Sequence, residues 1–156
     1  MPTPQEFLAT VIRPTLMAID LDSTAAEQLL LGTAMQESDL VHRRQMGDGP
    51  ARGFFQMEPR THNDIWVNFL KFHPELAAKI TKLLTSPGAD KIEELEKNDQ
   101  YACAMARAHY FRVKEALPVA DDIDAIANYW KNHYNTQQGA GTAAQFIAKW
   151  KKAFPQ

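Results

Sequence analysis

Along most of the chain apolar residues recur three and four positions apart, and strand-like alternation is nearly absent. The pattern predicts a mainly α fold. A first helical stretch is expected from about Pro4 to Ile19, interrupted or restarted near Pro14, which fits best in the first turn of a new helix. Thr24-Ala25-Ala26-Glu27 has the form of a capping box, opening a helix that carries Leu29, Leu30, Thr33 and Ala34 towards Glu37. From Asp39 to Gly53 the periodicity collapses into polar residues with three glycines, which predicts a long loop or short hairpin.

Thr61 to Asp64 then caps a helix bearing Ile65, Trp66, Phe69 and Leu70, and Trp66, Phe69 and Phe72 are expected in the core. Pro74 starts a further helix to about Leu84, Ser86-Pro87-Gly88 breaks it, and Asp90 to Lys97 makes a short helical or irregular turn. Asn98 caps a longer helix to about Leu117, whose Ala102, Met105, Ala106, His109, Tyr110 and Val113 mark it as central and buried. After Pro118, helices over Asp121 to Tyr134 and Thr142 to Phe154 complete a single domain over residues 1–156.

Composition narrows the function classes. Seventeen Lys and Arg stand against nineteen Asp and Glu, so there is no overall basic field for non-specific nucleic-acid binding, and no nucleic-acid partner is expected. Arg43-Arg44 and Lys149 to Lys152 are expected to be solvated faces. The single cysteine, Cys103, has apolar neighbours that predict an inert core thiol. The histidines at 42, 62, 73, 109 and 133 lack metal-ligand spacing, and no glycine-rich nucleotide motif is present, so neither a metal nor a cofactor is expected. The N-terminal residues carry no export signal, and no stretch reaches the ~18 consecutive apolar residues of a membrane span.

Candidate chemistry begins at Glu37. Helical spacing puts it on the same side as Leu30, Thr33 and Ala34, at the C-terminal end of an apolar stripe. Burial and the negative end of the helix dipole both push a carboxyl pKa upward there, as a general acid requires. Periodicity alone leaves a second reading, in which Glu37 turns outward as a surface charge at a fraying helix end. Five of the seven glycines fall in two loops, Gly47, Gly49 and Gly53 after this helix and Gly139 and Gly141 after Tyr134-Asn135. Two backbone regions thus look built for tight turns or close approach. Between Gly53 and Pro59 an amide, Gln56, and a second carboxylate, Glu58, interrupt an apolar run.

These residues resemble a family. Glu37-Ser38, then Gly53-Phe54-Phe55-Gln56 with Pro59 and Thr61, then Tyr134-Asn135 before Gly139 and Gly141, are similar to the three motifs of lytic transglycosylases and goose-type lysozymes. The likeness runs in order over Thr24 to Gly141, and the helix after Asn98 resembles the family's central core helix. The departures are Phe54-Phe55 in place of Leu-Met, and His133-Tyr134-Asn135-Thr136 in place of Ala-Tyr-Asn-Ala, with Gln137-Gln138 inserted before the first glycine. Glu58 stands where goose-type lysozymes carry an acid, and Asp48 lies in a Gly-Asp-Gly context like their other loop aspartate, one residue off in spacing.

The resemblance implies a lysozyme-like helical domain whose long loop or short hairpin forms one side of a cleft. The substrate implied is the β-1,4 glycan of peptidoglycan, cut between N-acetylmuramic acid and N-acetylglucosamine, with Glu37 as the acid. In a transglycosylase the same carboxylate then serves as base while the muramyl 6-hydroxyl closes a 1,6-anhydro end. An inverting hydrolase needs a second carboxylate about 6.5–9.5 Å away to hold water, and Asp48 and Glu58 are its candidates. Gln56 would orient sugar or water, Tyr134 would hydrogen-bond near Glu37, Asn135 would hold the loop or sugar, and Ser38, counted with the substrate-binding set, is read first as a structural hydroxyl at the helix end. Phage lysins and virion-associated lysozymes are the kinds that reach the wall without an export signal, so the resemblance also implies host cytoplasm or virion as location and other virion proteins as partners. The competing functions are a non-enzymatic structural or glycan-binding module on the same fold, and a protein-binding helical module.

Overall fold

Residues 1–45, 47–135 and 139–155 are described by a computed structural model, which is mainly α. The chain opens with α1 (Pro4–Phe7), a π-helical segment over Leu8–Ile12, and α2 (Arg13–Ala18). The expected interruption near Pro14 is thus a widened turn ahead of the proline rather than a break. Proline has no N–H and its ring crowds the carbonyl four residues back, so the wide turn lets the helix pass through it.

Helix α3 (Thr24–Ser38) is capped by Ser23, whose hydroxyl accepts from the Ala26 N–H. The cap lies one residue before the Thr24 that the sequence pattern favours. Leu29, Leu30 and Leu31 are all buried, as are Gly32 to Met35, so α3 is enclosed on nearly every side. Gly32 is the point of closest approach: a Cβ there would sit 2.0 Å from Phe146 of α9 (Ala143–Ala153).

The next helix, α4 (Pro59–Asn68), starts two residues earlier than expected, with Pro59 in its first turn. It ends before the aromatic set is complete. Leu70–Phe72 tightens into a 3₁₀ turn that buries Leu70 and leaves Phe72 68% exposed, so Phe72 does not join the core, while Trp66 and Phe69 pack against it. Helices α5 (Pro74–Thr81) and α6 (Lys91–Lys97) follow. Asn98 caps α7 (Asp99–Phe111), whose side chain accepts from the Tyr101 N–H, and this helix stops six residues short of Leu117. Alanines at 102, 104, 106 and 108 are buried, and their small side chains let α2, α3, α4, α5 and α6 all pack on α7. Cys103 is fully buried, and burial pushes its thiol pKa far up, away from a reactive thiolate.

Helix α8 (Ile123–His133), capped by Asp122, packs with α9 across α3. No helix among the described residues is long and apolar enough to cross a membrane.

Between α3 and α4 the expected hairpin is reduced to two isolated antiparallel bridges, Arg44 with Arg52 and Arg52 with Met57. The basic pair lies at the surface as expected, its side chains 39% and 53% exposed, and it also holds this loop. Arg43 makes a two-pronged ion pair with Asp99, one prong at 3.0 Å, and lies 4.0 Å over the Phe54 ring. Arg44 reaches Glu96 at 3.3 Å. Both tie the loop to the α6–α7 junction.

Candidate active site

The end of α3 is built on a left-handed turn. Asp39 and Leu40 take φ values of 54° and 56°, neither is glycine, and Leu40 is buried. A bulky residue in this region costs of order 1–2 kcal/mol, so the surroundings must hold it. Ser38 does that: its hydroxyl donates to the Ala34 carbonyl at 2.8 Å and accepts from the Leu40 N–H at 3.2 Å, while its own carbonyl accepts from Val41 and His42. Both hydroxyl roles are filled and the side chain is 2% exposed. Ser38 therefore fixes the turn and does not face substrate, which corrects its place among the substrate-binding candidates.

One residue earlier, Glu37 opens into a cleft of about 680 Å³. Gln56, Glu58, Trp130, Tyr134, Asn135 and Gly139 to Gly141 line the same cleft, together with Gln36, Asp39, His42, Arg44, Gln45 and Ala51. The outward, surface-charge reading of Glu37 fails on this placement. Its carboxyl pKa lies above the ordinary glutamate value because burial penalises the charged form. The hydrogen bond from Trp130, the nearby Asn135 side chain and the charges of Lys149 and Lys131 oppose that rise without cancelling it. Tyr134 and Tyr110 also feel its charge, and burial keeps both phenols protonated well beyond their usual range.

The turn Gly53-Phe54-Phe55-Gln56 faces this acid. Gly53 has φ 75°, and a Cβ on it would meet the Leu95 carbonyl oxygen at 2.1 Å, so only glycine fits. Gln56, itself left-handed at φ 48°, donates its amide nitrogen to the Gly53 carbonyl at 2.8 Å and more weakly to the His42 carbonyl at 3.4 Å. With the nitrogen so committed, the amide oxygen is the end left to accept from a ligand in the cleft.

Tyr134 lines the same cleft as Glu37, where its hydroxyl donates to the Phe55 carbonyl, and its ring stacks on Tyr110 at 5.2 Å and meets His109 edge-on at 5.0 Å. The contact locks the C-terminal end of α8 to the Gln56 turn. Tyr110 in turn donates to Thr33 Oγ1 at 2.7 Å, because the Thr33 hydroxyl already donates to Leu29 at 2.6 Å. A chain of contacts, polar at both ends and stacked between the Tyr110 and Tyr134 rings, thus runs from the body of α3 to the opposite wall of the cleft.

The two candidates for a second carboxylate separate. Glu58 is exposed and lines the cleft, just before α4. Asp48 is exposed, with φ 61°, and is not among the residues lining the cleft. A loop aspartate in a Gly-Asp-Gly context is placed by the course of the whole loop, which local sequence does not set. Asn135 lines the cleft as expected, whereas Thr136, Gln137 and Gln138 of the third motif lie outside the described residues.

Sequence reasoning passed over three residues. Trp130, taken as part of an apolar stripe, donates its indole N–H to Glu37 Oε2 at 3.0 Å. Lys131 donates to the Asn135 side chain at 2.9 Å, and Lys149 pairs with Asp39 at 2.9 Å. A signal for the first two was present: Trp130 lies four residues before Tyr134 and Lys131 four before Asn135, which puts each pair on one helical face. Lys149 is also removed from the solvated run expected over Lys149 to Lys152. Among the described residues no group of three or more His, Cys, Asp or Glu is gathered as a metal set.

Comparison of the chain with protein-family models, with curated proteins and with solved structures finds no match.

Proposed function

We propose that this protein cleaves the β-1,4 glycan strand of peptidoglycan between N-acetylmuramic acid and N-acetylglucosamine, with Glu37 as the general acid. The observation that carries the reading is the meeting, in one cleft, of a half-buried glutamate of raised pKa with Gln56 and with Tyr134-Asn135. These are the positions whose motifs resemble lytic transglycosylases and goose-type lysozymes. A carboxyl that stays protonated above its usual range can give its proton to the leaving glycosidic oxygen. The polar lining suits a hydroxyl-rich substrate, and the Gln56 amide oxygen is available to accept from a sugar hydroxyl or from water.

After the glycosidic bond opens, Glu37 is a carboxylate and can take a proton back. In a transglycosylase it takes it from the muramyl 6-hydroxyl as that oxygen attacks the anomeric carbon. In a hydrolase a water is the acceptor, and Glu58 rather than Asp48 is the candidate to hold it. Delivery as a phage lysin or virion-associated lysozyme, alongside other virion proteins, belongs to the same proposal and rests on the resemblance.

The test is digestion of purified peptidoglycan, with released fragments identified by mass spectrometry. Soluble muropeptides are expected, and their ends assign the chemistry: 1,6-anhydro ends mean transglycosylation, reducing ends mean hydrolysis. Glycan that is bound but never cut would instead support the non-enzymatic module.

A further inference from the structure

Lys131 sits in the last turn of α8 with its ammonium turned towards Asn135, Gly139 and Gly141, which line the cleft. An ammonium has three protons to donate and nothing to accept with. Here three acceptors surround it: Asn135 Oδ1 at 2.9 Å, the Gly139 carbonyl at 3.2 Å and the Gly141 carbonyl at 2.6 Å. Gly141 is held closely on its other side as well, since a Cβ there would lie 2.7 Å from Gln36 Nε2 and 2.8 Å from the Trp130 ring. One side chain therefore holds Asn135 together with Gly139 and Gly141.

The consequence for Asn135 is chemical. A carboxamide can turn either end towards a neighbour, and its choice is set by its partners. Because Lys131 can only donate, it takes the oxygen of Asn135 and leaves the NH2 group for the cleft. Glu37 lines the same cleft as Asn135, and an NH2 group turned towards it favours its carboxylate form.

We propose that Lys131 is a positioning residue for the acid, fixing Asn135 with its NH2 group towards Glu37 and closing the cleft wall through Gly139 and Gly141. This rests on the assignment of Glu37 as the acid for its catalytic meaning, but not for its structural content. Without Lys131 the carboxamide is free to rotate and present its oxygen, which favours the protonated carboxyl. The lost ammonium charge pushes in the same direction, so the two effects have to be separated.

The separation comes from NMR titration of the Glu37 carboxyl in folded protein, a readout that needs no substrate. In Lys131→Met, Glu37 is expected to titrate at higher pH than in wild type. In an Asn135→Ala background the same substitution is expected to move Glu37 by less, because one of its two routes is gone. Lys131→Gln, uncharged but still a donor to Asn135, is expected to fall between wild type and Lys131→Met, and serves if the Met variant does not fold. Equal displacement in both backgrounds, or by Gln and Met alike, would show that Lys131 acts by charge alone and overturn the proposal; so would no displacement. On peptidoglycan, Lys131→Met should lower kcat about tenfold with KM nearly unchanged, as misorientation of a reacting group does. If wild type cuts no peptidoglycan, the functional reading fails while the titrations still decide the role of Lys131.

Discussion

The indole N–H of Trp130 donates to Oε2 of Glu37 at 3.0 Å, joining the face of α8 that carries Tyr134 to the end of α3. The contact satisfies both sides. A fully buried indole needs an acceptor, and a half-buried carboxyl needs a donor that holds its rotamer. It also divides the control of Glu37 in two, with burial raising the pKa and Trp130 limiting the rise.

Replacing Trp130 by Phe keeps most of the ring packing against Phe146 and removes the donor. The carboxylate form of Glu37 then loses its partner, so its pKa rises further and the acid stays protonated to higher pH. The basic limb of the pH–kcat profile is expected to move upward, with a loss of about 1–2 kcal/mol in stability near neutral pH. A profile whose basic limb stays in place would show that Trp130 does not act on the acid.

Glu37→Gln should stabilise the protein near neutrality. Because the folded-state pKa is raised, the folded protein binds this proton more tightly than the unfolded chain. The stability from Glu37 is therefore full below the unfolded value of 4.5 and is lost as pH rises through the folded pKa. A neutral amide removes that loss. The variant is expected to melt a few degrees above wild type at about pH 7, of order 1 kcal/mol, and to show no advantage at about pH 3.5. Equal melting points at both pH values would mean that Glu37 is not perturbed by burial.

Two histidines carry the opposite sign. His62 Nδ1 donates to Asn63 Oδ1 at 2.9 Å, so in the neutral ring Nε2 accepts from the Tyr101 hydroxyl at 2.7 Å, and burial favours that neutral form. Arg112 donates to His109 Nδ1 at 3.0 Å, and burial, then the Arg112 charge, push the His109 pKa down to about 4. The unfolded chain binds these protons more readily, so their contribution is present above the unfolded value of 6.5 and is lost as pH falls towards about 4. Urea midpoints are expected to drop across that window. His109→Gln should flatten the drop, and an equally steep fall in the variant would contradict it.

How much of this was legible differs from residue to residue. Asn98, Thr142 and Asp90 marked helix starts correctly because a cap is a local interaction between a side chain and the N–H groups of the next turn. Ser23 and Thr24 are both competent caps, and which one serves depends on how α3 packs. Phe72 was misplaced because its spacing from Trp66 and Phe69 assumes one continuous helix, and the tightened turn after Asn68 rotates it outward. At the site, Glu37, Gln56 and Asn135 were legible as unusual polar residues in motif order. Ser38 was legible as a structural hydroxyl at a helix end, whereas the acceptor of the Tyr134 hydroxyl was not, because it lies 79 residues away.

Gly32→Ala tests the packing that holds α3 in place. The added methyl would lie 2.0 Å from Phe146 Cζ, and the ring must shift for α3 and α9 to stay together. A loss of about 1–3 kcal/mol in urea unfolding is expected. Pairing it with Phe146→Leu should recover part of the loss, and additive costs in the pair would show that the two positions do not meet.

The most direct test of the central claim compares fragment release from peptidoglycan by wild type and by Glu37→Gln, with both proteins shown to be folded by circular dichroism. Positioned proton transfer contributes about 10²–10⁴-fold, so the variant should release fragments at least a hundred times more slowly. A folded Glu37→Gln protein that digests peptidoglycan at the wild-type rate would contradict Glu37 as the acid.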